Sequence, residues 1–480
     1  MAFGQNTATI RSTPSQNAPV RRFGTVPAEI MGPRILFMLA VMALVLFGLV
    51  MVFSASTIEA ISEGESPTSF VAKQLLFAVG GLALCVLCAI IPYQKWLTRW
   101  TLVIWALAVM LIVLTALMGT EELGATRWLQ LGPVSLQPSE FAKIAFVLAA
   151  ARAIQLFRTG EMDVRTFVAS IFVQIAVPIA FLYVTQSDLG TMAICAVSIL
   201  AVLWAGGISA RTIGIVAGVL FAIAVVGIFS SPYRLARLTS FMNPWDDGKG
   251  GLGTGFQLIH SFYAFGEGGV LGVGLGNSSE KFLYLPEAET DFIYAVIGEE
   301  LGLVGALAVV ALFVLLLYAG LRIARTAPDN FGSMVACSIT VMIVFQAFLN
   351  MACVIGVAPT TGKPLPFISS GGSSLVASFI MAGLVLSVSR QSSAPDEHDR
   401  RRADLRIVRA DYGYPDEGVQ AGSRGRGRQA GRAPYRVDDA ASRRTPSRSG
   451  RRMDRAAARK GAARRRGEQS ASGSQRRSRR

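Results

Sequence analysis

The sequence predicts an all-α polytopic membrane protein with ten transmembrane helices, a large outer loop between helices 7 and 8, and both termini in the cytoplasm. Composition indicates the class, because 52% of the residues are hydrophobic and 16% are charged, whereas soluble domains carry about 25% charged residues. Ten apolar runs, each close to the roughly 20 residues that a helix needs to cross a bilayer, predict the helices. The distribution of Lys and Arg between the loops predicts the orientation.

The ten apolar runs lie at 35–54, 70–91, 100–118, 139–157, 166–184, 189–206, 211–230, 297–321, 333–356 and 372–389. Backbone polar groups inside a bilayer must be satisfied within the protein, so only helices and closed barrels span it. These runs are too long and too continuous for barrel strands. We expect the first run to be retained rather than cleaved as a signal peptide, because both the run and the segment before it are long for a signal.

Basic residues collect on alternate sides of the predicted spans. One side carries Arg11, Arg21, Arg22, Arg34, Lys95, Arg99, Arg152, Arg158, Arg165, Arg211, Arg322 and Arg325. The intervening loops are poorer in positive charge or are acidic, with Glu59, Glu63, Glu65, Glu121 and Glu122. Cytoplasmic loops are enriched in Lys and Arg. The pattern therefore places both termini in the cytoplasm and the long segment 231–296 outside.

The chain divides into an arm (1–34), a membrane domain (35–390) and a basic tail (391–480). The tail has 25 Lys and Arg residues against 11 Asp and Glu residues, a net charge of +14. It has few large apolar side chains, so we expect the tail, like the arm, to be disordered. The tail either anchors the protein on anionic lipid or docks an acidic cytoplasmic protein. Nucleic-acid binding ranks third, because the tail is tethered to a membrane.

Motifs for common cofactors are weak in this sequence. Five scattered Cys and two His residues do not form a metal-site or disulfide pattern. Cys85 and Cys88 form a CxxC inside an apolar run, which we interpret as buried small side chains. The glycine-rich string at 266–276 follows no predicted strand, so we do not interpret it as a dinucleotide site. We expect no organic cofactor.

Four polar clusters fall on the predicted outer face: 124–143, 186–191, 233–302 and 361–374. Charges within or beside membrane spans are costly and mark functional candidates. Each cluster also has a structural interpretation. Glu140 and Lys143 are spaced to form a local ion pair, and Asp188 is placed to cap a helix. The last cluster is either a re-entrant turn or, with Lys363 among hydroxyls and glycines, a site for phosphate.

Together the clusters offer few carboxylates and many cations. The cations are Arg127, Lys143, Arg234, Arg237, Lys281 and Lys363. Glycoside hydrolysis usually needs two carboxylates. Transfer from a lipid pyrophosphate instead needs stabilisation of the leaving group's charge by cations and one base for the attacking hydroxyl. This set of residues favours transfer from a lipid pyrophosphate over glycoside hydrolysis.

Four strings carry a family resemblance: GATRWLQLGPVSLQPSEFAK, YRLARLTSFMNPW, GEGGVLGVGLGNSSEKFLYLPEAETDFIYAVIGEELG and TTGKPLPFISSGGSS. They closely resemble the SEDS family (shape, elongation, division and sporulation), in order, over residues 35–390. The resemblance implies a peptidoglycan glycosyltransferase that polymerises lipid II at the outer face of the plasma membrane and releases undecaprenyl diphosphate. The segment 51–56 and the basic tail look more like the division branch, typified by FtsW, than the elongation branch, typified by RodA. Membership of the division branch implies a septal location.

The resemblance also implies site residues. Asp291 matches the family's essential aspartate, which acts as base for the acceptor's sugar hydroxyl or holds a divalent cation, Mg²⁺ or Mn²⁺, that does so. The expected substrate-binding residues are Arg127, Gln137, Glu140, Lys143, Asp188, Arg234, Arg237, Lys281, Glu289, Lys363 and Ser369. Lys281 and Lys363, with Arg234 or Arg237, are the expected ligands of the pyrophosphate. A single displacement would invert the anomeric configuration.

Two departures from the family pattern affect these expectations. Gln186-Ser187-Asp188 stands where relatives usually read Gln-Pro-Asp, and Glu289 stands where many have His. A carboxylate so close to Asp291 either raises the pKa of Asp291 by like-charge repulsion or joins it on a metal ion. We hypothesise the former, because no His is available nearby in the sequence. A helix start would lower the pKa and burial would raise it, and the sequence leaves that balance open.

Two other functions fit the same spans. A lipid II transporter would also use many spans and intramembrane charges, although charges concentrated at one face suit it less. A silent scaffold would recruit a partner without catalysis. The family resemblance implies a class B penicillin-binding protein, a transpeptidase, as that partner, together with other division proteins.

Overall fold

The computed structural model describes residues 28–62, 64–95, 100–122, 125–131, 134–186, 188–229, 232–246, 249–282 and 284–392. The predictions for the tail, and for the arm before Ala28, lie outside these residues. The chain divides into two units, Met1–Arg402 and Ala403–Arg480, and every described residue belongs to the first.

Thirteen α-helices are present in the described residues. They are α1 Ala28–Ser62, α2 Ser69–Ile90, α3 Thr101–Met118, α4 Pro138–Arg158, α5 Val164–Ile171, α6 Val177–Gln186, α7 Leu189–Ala205, α8 Ala210–Phe229, α9 Pro232–Met242, α10 Phe256–Gly268, α11 Ile293–Arg325, α12 Asn330–Val354 and α13 Gly372–Gln391. A π-helical turn, Phe172–Ala176, joins α5 and α6 into one continuous run. It directly precedes Pro178, whose missing N–H interrupts the α-helical hydrogen bonds.

The prediction of a mostly helical multi-pass protein is confirmed. Each of the ten predicted runs falls on a helix, and eight helical segments in the described residues are long and apolar enough to cross a membrane. The other two are α7, which is apolar but has 17 residues, and α4, which carries four charged side chains. The charges of α4 are Glu140, Lys143, Arg152 and Arg158. α1 begins at Ala28, within the segment predicted as an arm.

α12 and α13 form the centre of the bundle. In the most apolar stretch of each, 72% and 78% of the residues are buried, against 6% for the peripheral helix α8. α13 packs closely on α2, since a Cβ added at Gly383 would lie 2.5 Å from the carbonyl oxygen of Cys85. Cys85 and Cys88 are free, buried cysteines of this contact, as their apolar run predicted.

A small sheet precedes α4 where the sequence predicted only a loop. β1 Thr120–Glu122, β2 Ala125–Leu131 and β3 Val134–Leu136 form an antiparallel sheet in the order β1-β2-β3. β2 pairs with β1 through Thr120↔Trp128 and with β3 through Leu129↔Leu136. The sheet carries Arg127 to the end of the bundle at which α4 begins, with Pro138 in its first turn.

α11 is broken at Gly302, which has a φ of +65° that glycine adopts without a steric penalty. The backbone of residues 269–274 fills the break. It donates hydrogen bonds to the carbonyls of residues 299–300 and accepts them from the N–H groups of residues 303–304. A Cβ at Gly302 would lie 2.4 Å from the amide nitrogen of Gly272. The segment between α10 and α11 thus satisfies backbone groups that a continuous helix would pair internally.

Candidate active site

Four alternating charges lie buried where α4, α7, α12 and the loop before α13 meet. Lys143 Nζ is 2.9 Å from Glu140 Oε1 and 2.6 Å from Gln346 Oε1. Lys363 Nζ is 2.6 Å from Asp188 Oδ2 and 4.0 Å from Glu140 Oε1. The predicted ion pair of Glu140 and Lys143 is therefore present. Both lysines are fully buried and paired with carboxylates, so in this structure they link helices.

Asp188 both caps a helix and belongs to this cluster, as the sequence allowed. Its carboxylate accepts hydrogen bonds from the N–H and hydroxyl of Thr191 in the first turn of α7. Burial alone would raise the pKa of Asp188, but the charges of Lys363 and Arg127 outweigh burial and hold that pKa at about 2. Gly190 makes room for the lysine, because a Cβ there would lie 2.9 Å from Lys363 Cγ.

Asp291 lies beside this cluster, two residues before the start of α11. The side chain of Asn350 on α12 donates to the backbone carbonyls of Asp291 and Lys363, at 2.7 Å each. Ser369 Oγ donates to the carbonyl of Thr290 at 2.6 Å. Gly362 lies against the carboxylate, since a Cβ added there would be 3.3 Å from Asp291 Oδ2. The loop that carries Asp291 is therefore held by α12 and by the loop before α13.

The pKa of Asp291 is raised to about 6, first by burial and then by the charge of Glu287, while Lys363, Arg237 and Arg127 act in the opposite direction. The side chain is only partly buried. A carboxylate with a pKa of about 6 is a better base near neutral pH than one at the ordinary value of Asp.

Glu289 does not act on Asp291 in the way that the sequence predicted. Its carboxyl is buried against Glu59 of α1, and burial followed by the hydrogen bond to Glu59 raises the pKa of Glu289 to about 9. The raised pKa favours the uncharged form of Glu289, and this form does not repel a neighbouring carboxylate. The neighbour that raises the pKa of Asp291 is Glu287.

Arg127 and Arg237 are the partly exposed cations near Asp291. Arg127 Nε donates to the carbonyl of Gln186 at 3.1 Å, and Arg237 Nη1 donates to the carbonyl of Thr360 at 3.1 Å. Backbone oxygens position both guanidinium groups in these contacts, and the charges of both arginines act on Asp291.

Arg234 and Lys281 lie in other surroundings. Arg234 stacks on the ring of Tyr183, 4.4 Å from its centroid, and donates to the Tyr183 hydroxyl. Lys281 Nζ is 3.0 Å from Glu300 Oε1 and 3.3 Å from Ser54 Oγ. It lines a separate cavity of about 470 Å³ between α1 and the segment that joins α10 to α11. These contacts of the two cations are thus with Tyr183, Glu300 and Ser54, and not with the carboxylate of Asp291.

The sequence analysis included Gln137 among the site residues but missed several uncharged side chains that lie among them. Gln137 is buried at the N-cap of α4. The amides of Gln346 and Asn350 were missed because they lie in the middle of an apolar span. Gln186 is fully buried, and neither of its amide atoms has a partner among the described residues. Buried polar groups are normally paired, so a Gln or Asn inside an apolar run was the available signal.

The residues around Asp291 do not form a metal site by themselves. In the described part of the chain, no group of three or more His, Cys, Asp or Glu side chains is placed to hold a metal ion. The charged neighbours that lower the pKa of Asp291 are cations. Cations at this position repel a metal ion. We therefore derive no step through a protein-held metal.

Comparisons with known proteins identify the family of the chain. A family model described as "Cell cycle protein", FtsW/RodA/SpoVE, matches residues 34–394. Stage V sporulation protein E of Bacillus subtilis is 38% identical over 371 residues, which cover 75% of this chain and 98% of that protein. A probable peptidoglycan glycosyltransferase FtsW of Trichlorobacter lovleyi is 38% identical over 361 residues, covering 74% and 92%.

Two solved structures share the fold. One belongs to a peptidoglycan synthase complex described as coordinating polymerization and crosslinking. It matches with a TM-score of 0.59 and 25% identity, covering 74% of this chain and 97% of that one. A variant of the rod shape determining protein RodA from Thermus thermophilus matches with a TM-score of 0.54 and 25% identity, covering 75% and 97%. The chain therefore belongs to the FtsW/RodA/SpoVE family, the SEDS proteins, and within it to the FtsW-like division branch.

Proposed function

We propose that this protein is a peptidoglycan glycosyltransferase that polymerises lipid II into glycan strands during cell division. The observation that carries the proposal is a single carboxylate, Asp291, with its pKa raised to about 6 and with Arg127 and Arg237 acting on it. Family membership supports the substrate class, since relatives in the same branch are named as probable peptidoglycan glycosyltransferases.

The proposed topology has ten spans, with α4 and α7 completing the eight that satisfy length and apolarity. Buried charges of α4 are compatible with a span, because they pair inside the bundle and not at its lipid surface. Both termini are then cytoplasmic, and the segment 231–296 and Asp291 face outward. We place the protein at the division septum.

Asp291 accepts the proton of the acceptor's sugar hydroxyl as that oxygen attacks the anomeric carbon of the donor. The bond from that carbon to the diphosphate oxygen breaks, and undecaprenyl diphosphate leaves with the bonding electrons. One displacement converts an α-linked sugar phosphate into a β-glycosidic bond. Retention of configuration would contradict this step.

The diphosphate is the part of the substrate that the cations recognise. Arg127 and Arg237 are partly exposed and suit bidentate contact with phosphate oxygens. Lys143 and Lys363 are buried and already bonded to carboxylates, so we assign them to positioning. A divalent cation that accompanies the diphosphate belongs to the substrate, whose oxygens supply most of its ligands.

The proposed partner is a class B penicillin-binding protein, which would crosslink the strands. The likeness to a chain of a peptidoglycan synthase complex supports a partner of this kind. Other division proteins, and an acidic cytoplasmic protein bound by the tail, remain proposals that rest on the sequence.

The test is polymerisation by the purified full-length protein with its transpeptidase, fluorescent lipid II and Mg²⁺ or Mn²⁺. The wild type should give glycan polymer, and Asp291→Ala and Asp291→Asn should give none while the complex still co-purifies. Asp246→Asn is the matched control, since it removes an exposed carboxylate of the same outer segment and should keep wild-type activity.

The outcome separates the three candidate functions. Polymer from Asp291→Asn at the wild-type rate would refute the proposed base. Translocation of lipid II in vesicles without polymer would replace the enzyme with a transporter. If the complex shows neither polymerisation nor translocation of lipid II, the function that remains is that of a scaffold.

A further inference from the structure

The helices that build the candidate active site also build a second cavity at their opposite ends. Asp188 caps the first turn of α7, α11 starts just after Asp291, and α12 carries Asn350. The other ends of these helices enclose a cavity of about 240 Å³. Asn350 lies 17 residues after Ser333 on α12, which corresponds to about 25 Å at 1.5 Å per residue. The cavity therefore lies far from the carboxylate, on the side that the topology assigns to the cytoplasm.

Polar and apolar side chains line the cavity together. Its lining includes Trp204, Leu321, Ala324, Arg325, Ser333 and Cys337. Trp204 is 63% exposed, and Arg325 at the end of α11 is exposed as well. Among the salt bridges of the described residues, none pairs Arg325 with a carboxylate. A guanidinium and an exposed indole that line one cavity together with apolar side chains are typical of the membrane interface.

We propose that this cavity binds an anionic phospholipid of the inner leaflet. The phosphate contacts Arg325 and the hydroxyl of Ser333, and the upper part of an acyl chain packs on Leu321 and Trp204. Basic pockets between transmembrane helices on the cytoplasmic side suit anionic headgroups. At about 240 Å³ the cavity is smaller than the roughly 300–1,000 Å³ of pockets that enclose a whole ligand. It therefore holds a headgroup region and leaves the chains in the bilayer.

Charge argues against the chain's own tail as the occupant. Residues 391–480 carry a net charge of +14, so they repel a cavity whose charged lining residue is an arginine. The same tail attracts anionic lipid without specificity, and the experiment has to separate this background from the cavity.

The test is a fluorescence titration of the full-length protein with brominated lipids, which quench tryptophan on contact. Subtracting the signal of Trp204→Phe isolates the indole at the cavity. Salt at about 0.5 M shortens the screening length to a few ångströms and weakens attraction by the tail. Brominated phosphatidylglycerol should then bind on the order of 10-fold more tightly than brominated phosphatidylcholine, as expected for charge-assisted hydrogen bonds.

Two substitutions at the same helix end decide the result. Arg325→Gln should reduce the preference for phosphatidylglycerol to near unity, and Arg325→Lys should keep part of it. Arg322→Gln is the matched control, because Arg322 is exposed one turn earlier, stacks on Tyr318 and does not line the cavity; it should keep the preference. The proposed site would be overturned if the wild type bound both lipids equally. It would also be overturned if Arg322→Gln lost as much of the preference for phosphatidylglycerol as Arg325→Gln does. The titration measures no turnover, so it is independent of the proposed enzyme activity.

Discussion

Lys363 offers the sharpest test of how this site is built, because the sequence assigned it to the substrate and the structure pairs it with Asp188. The charged atoms are 2.6 Å apart, and both side chains are 1% exposed. At an effective dielectric constant of about 20, unit charges at that distance attract by about 6 kcal/mol, from which the cost of desolvating both groups must be subtracted. Removing one partner leaves the other charge buried and unpaired, which costs about 3–5 kcal/mol.

We therefore expect Lys363→Met and Asp188→Asn each to lower the thermal midpoint of the purified protein by roughly 5 °C, given the unfolding entropy of a domain of this size. The double variant should recover most of the loss, because it leaves no unpaired charge. Asn at position 188 still accepts the capping hydrogen bond. The assay is a thermal melt of all four proteins in one detergent. The structural role would be refuted if both single variants melted at the wild-type midpoint while Lys363→Met lost polymerisation. Lys363 would then be assigned to binding the substrate.

Two further predictions concern the carboxylate itself. The base works when it is deprotonated, so kcat/KM for polymerisation should rise with pH through about 6 and level off above it. Glu287→Gln removes a negative charge that raises the pKa of Asp291, so the rise should move to lower pH; an unchanged pH profile would contradict this origin of the shift. Asn350→Ala removes the side-chain amide that ties the backbone carbonyl of Asp291 to that of Lys363 and should lower kcat by about 10- to 100-fold through misplacement of the base. The exposed Asn277→Ala should leave kcat unchanged, and a similar loss in both variants would argue against positioning.

Much of the helical fold was predictable because lipid imposes one dominant constraint. A run of about 20 apolar residues has few structures available inside a bilayer other than a helix, and each predicted run falls on one. The irregular parts were not predictable in the same way. The sheet of β1, β2 and β3 was read as a loop because its strands are short and lack clear alternation. The break at Gly302 depends on contacts with residues 269–274, which lie far from it in sequence.

The sequence supplied candidate residues for the site but not their arrangement. Asp188 and Lys363 were candidates because charge near a membrane span is costly, whereas Asp291 was singled out by the family resemblance. Their pairing was not accessible, since spacing along the chain does not reveal that Lys363 meets Asp188 or that Lys281 meets Glu300. The hypothesis for Glu289 was wrong for the same reason, because its partner Glu59 lies on α1.

The arrangement explains why a polymerase would keep so many buried charges next to one base. Stabilising a departing diphosphate requires cations that are already in place, since reorganising them during the reaction would raise the barrier. The buried pairs of Lys143 and Lys363 bind α4, α7, α12 and the loop before α13 into one unit. Arg127 and Arg237 sit at the accessible edge of that unit, anchored by backbone carbonyls. The buried ion pairs therefore make the site rigid. Arg127 and Arg237 provide the contacts whose strength changes as the diphosphate leaves.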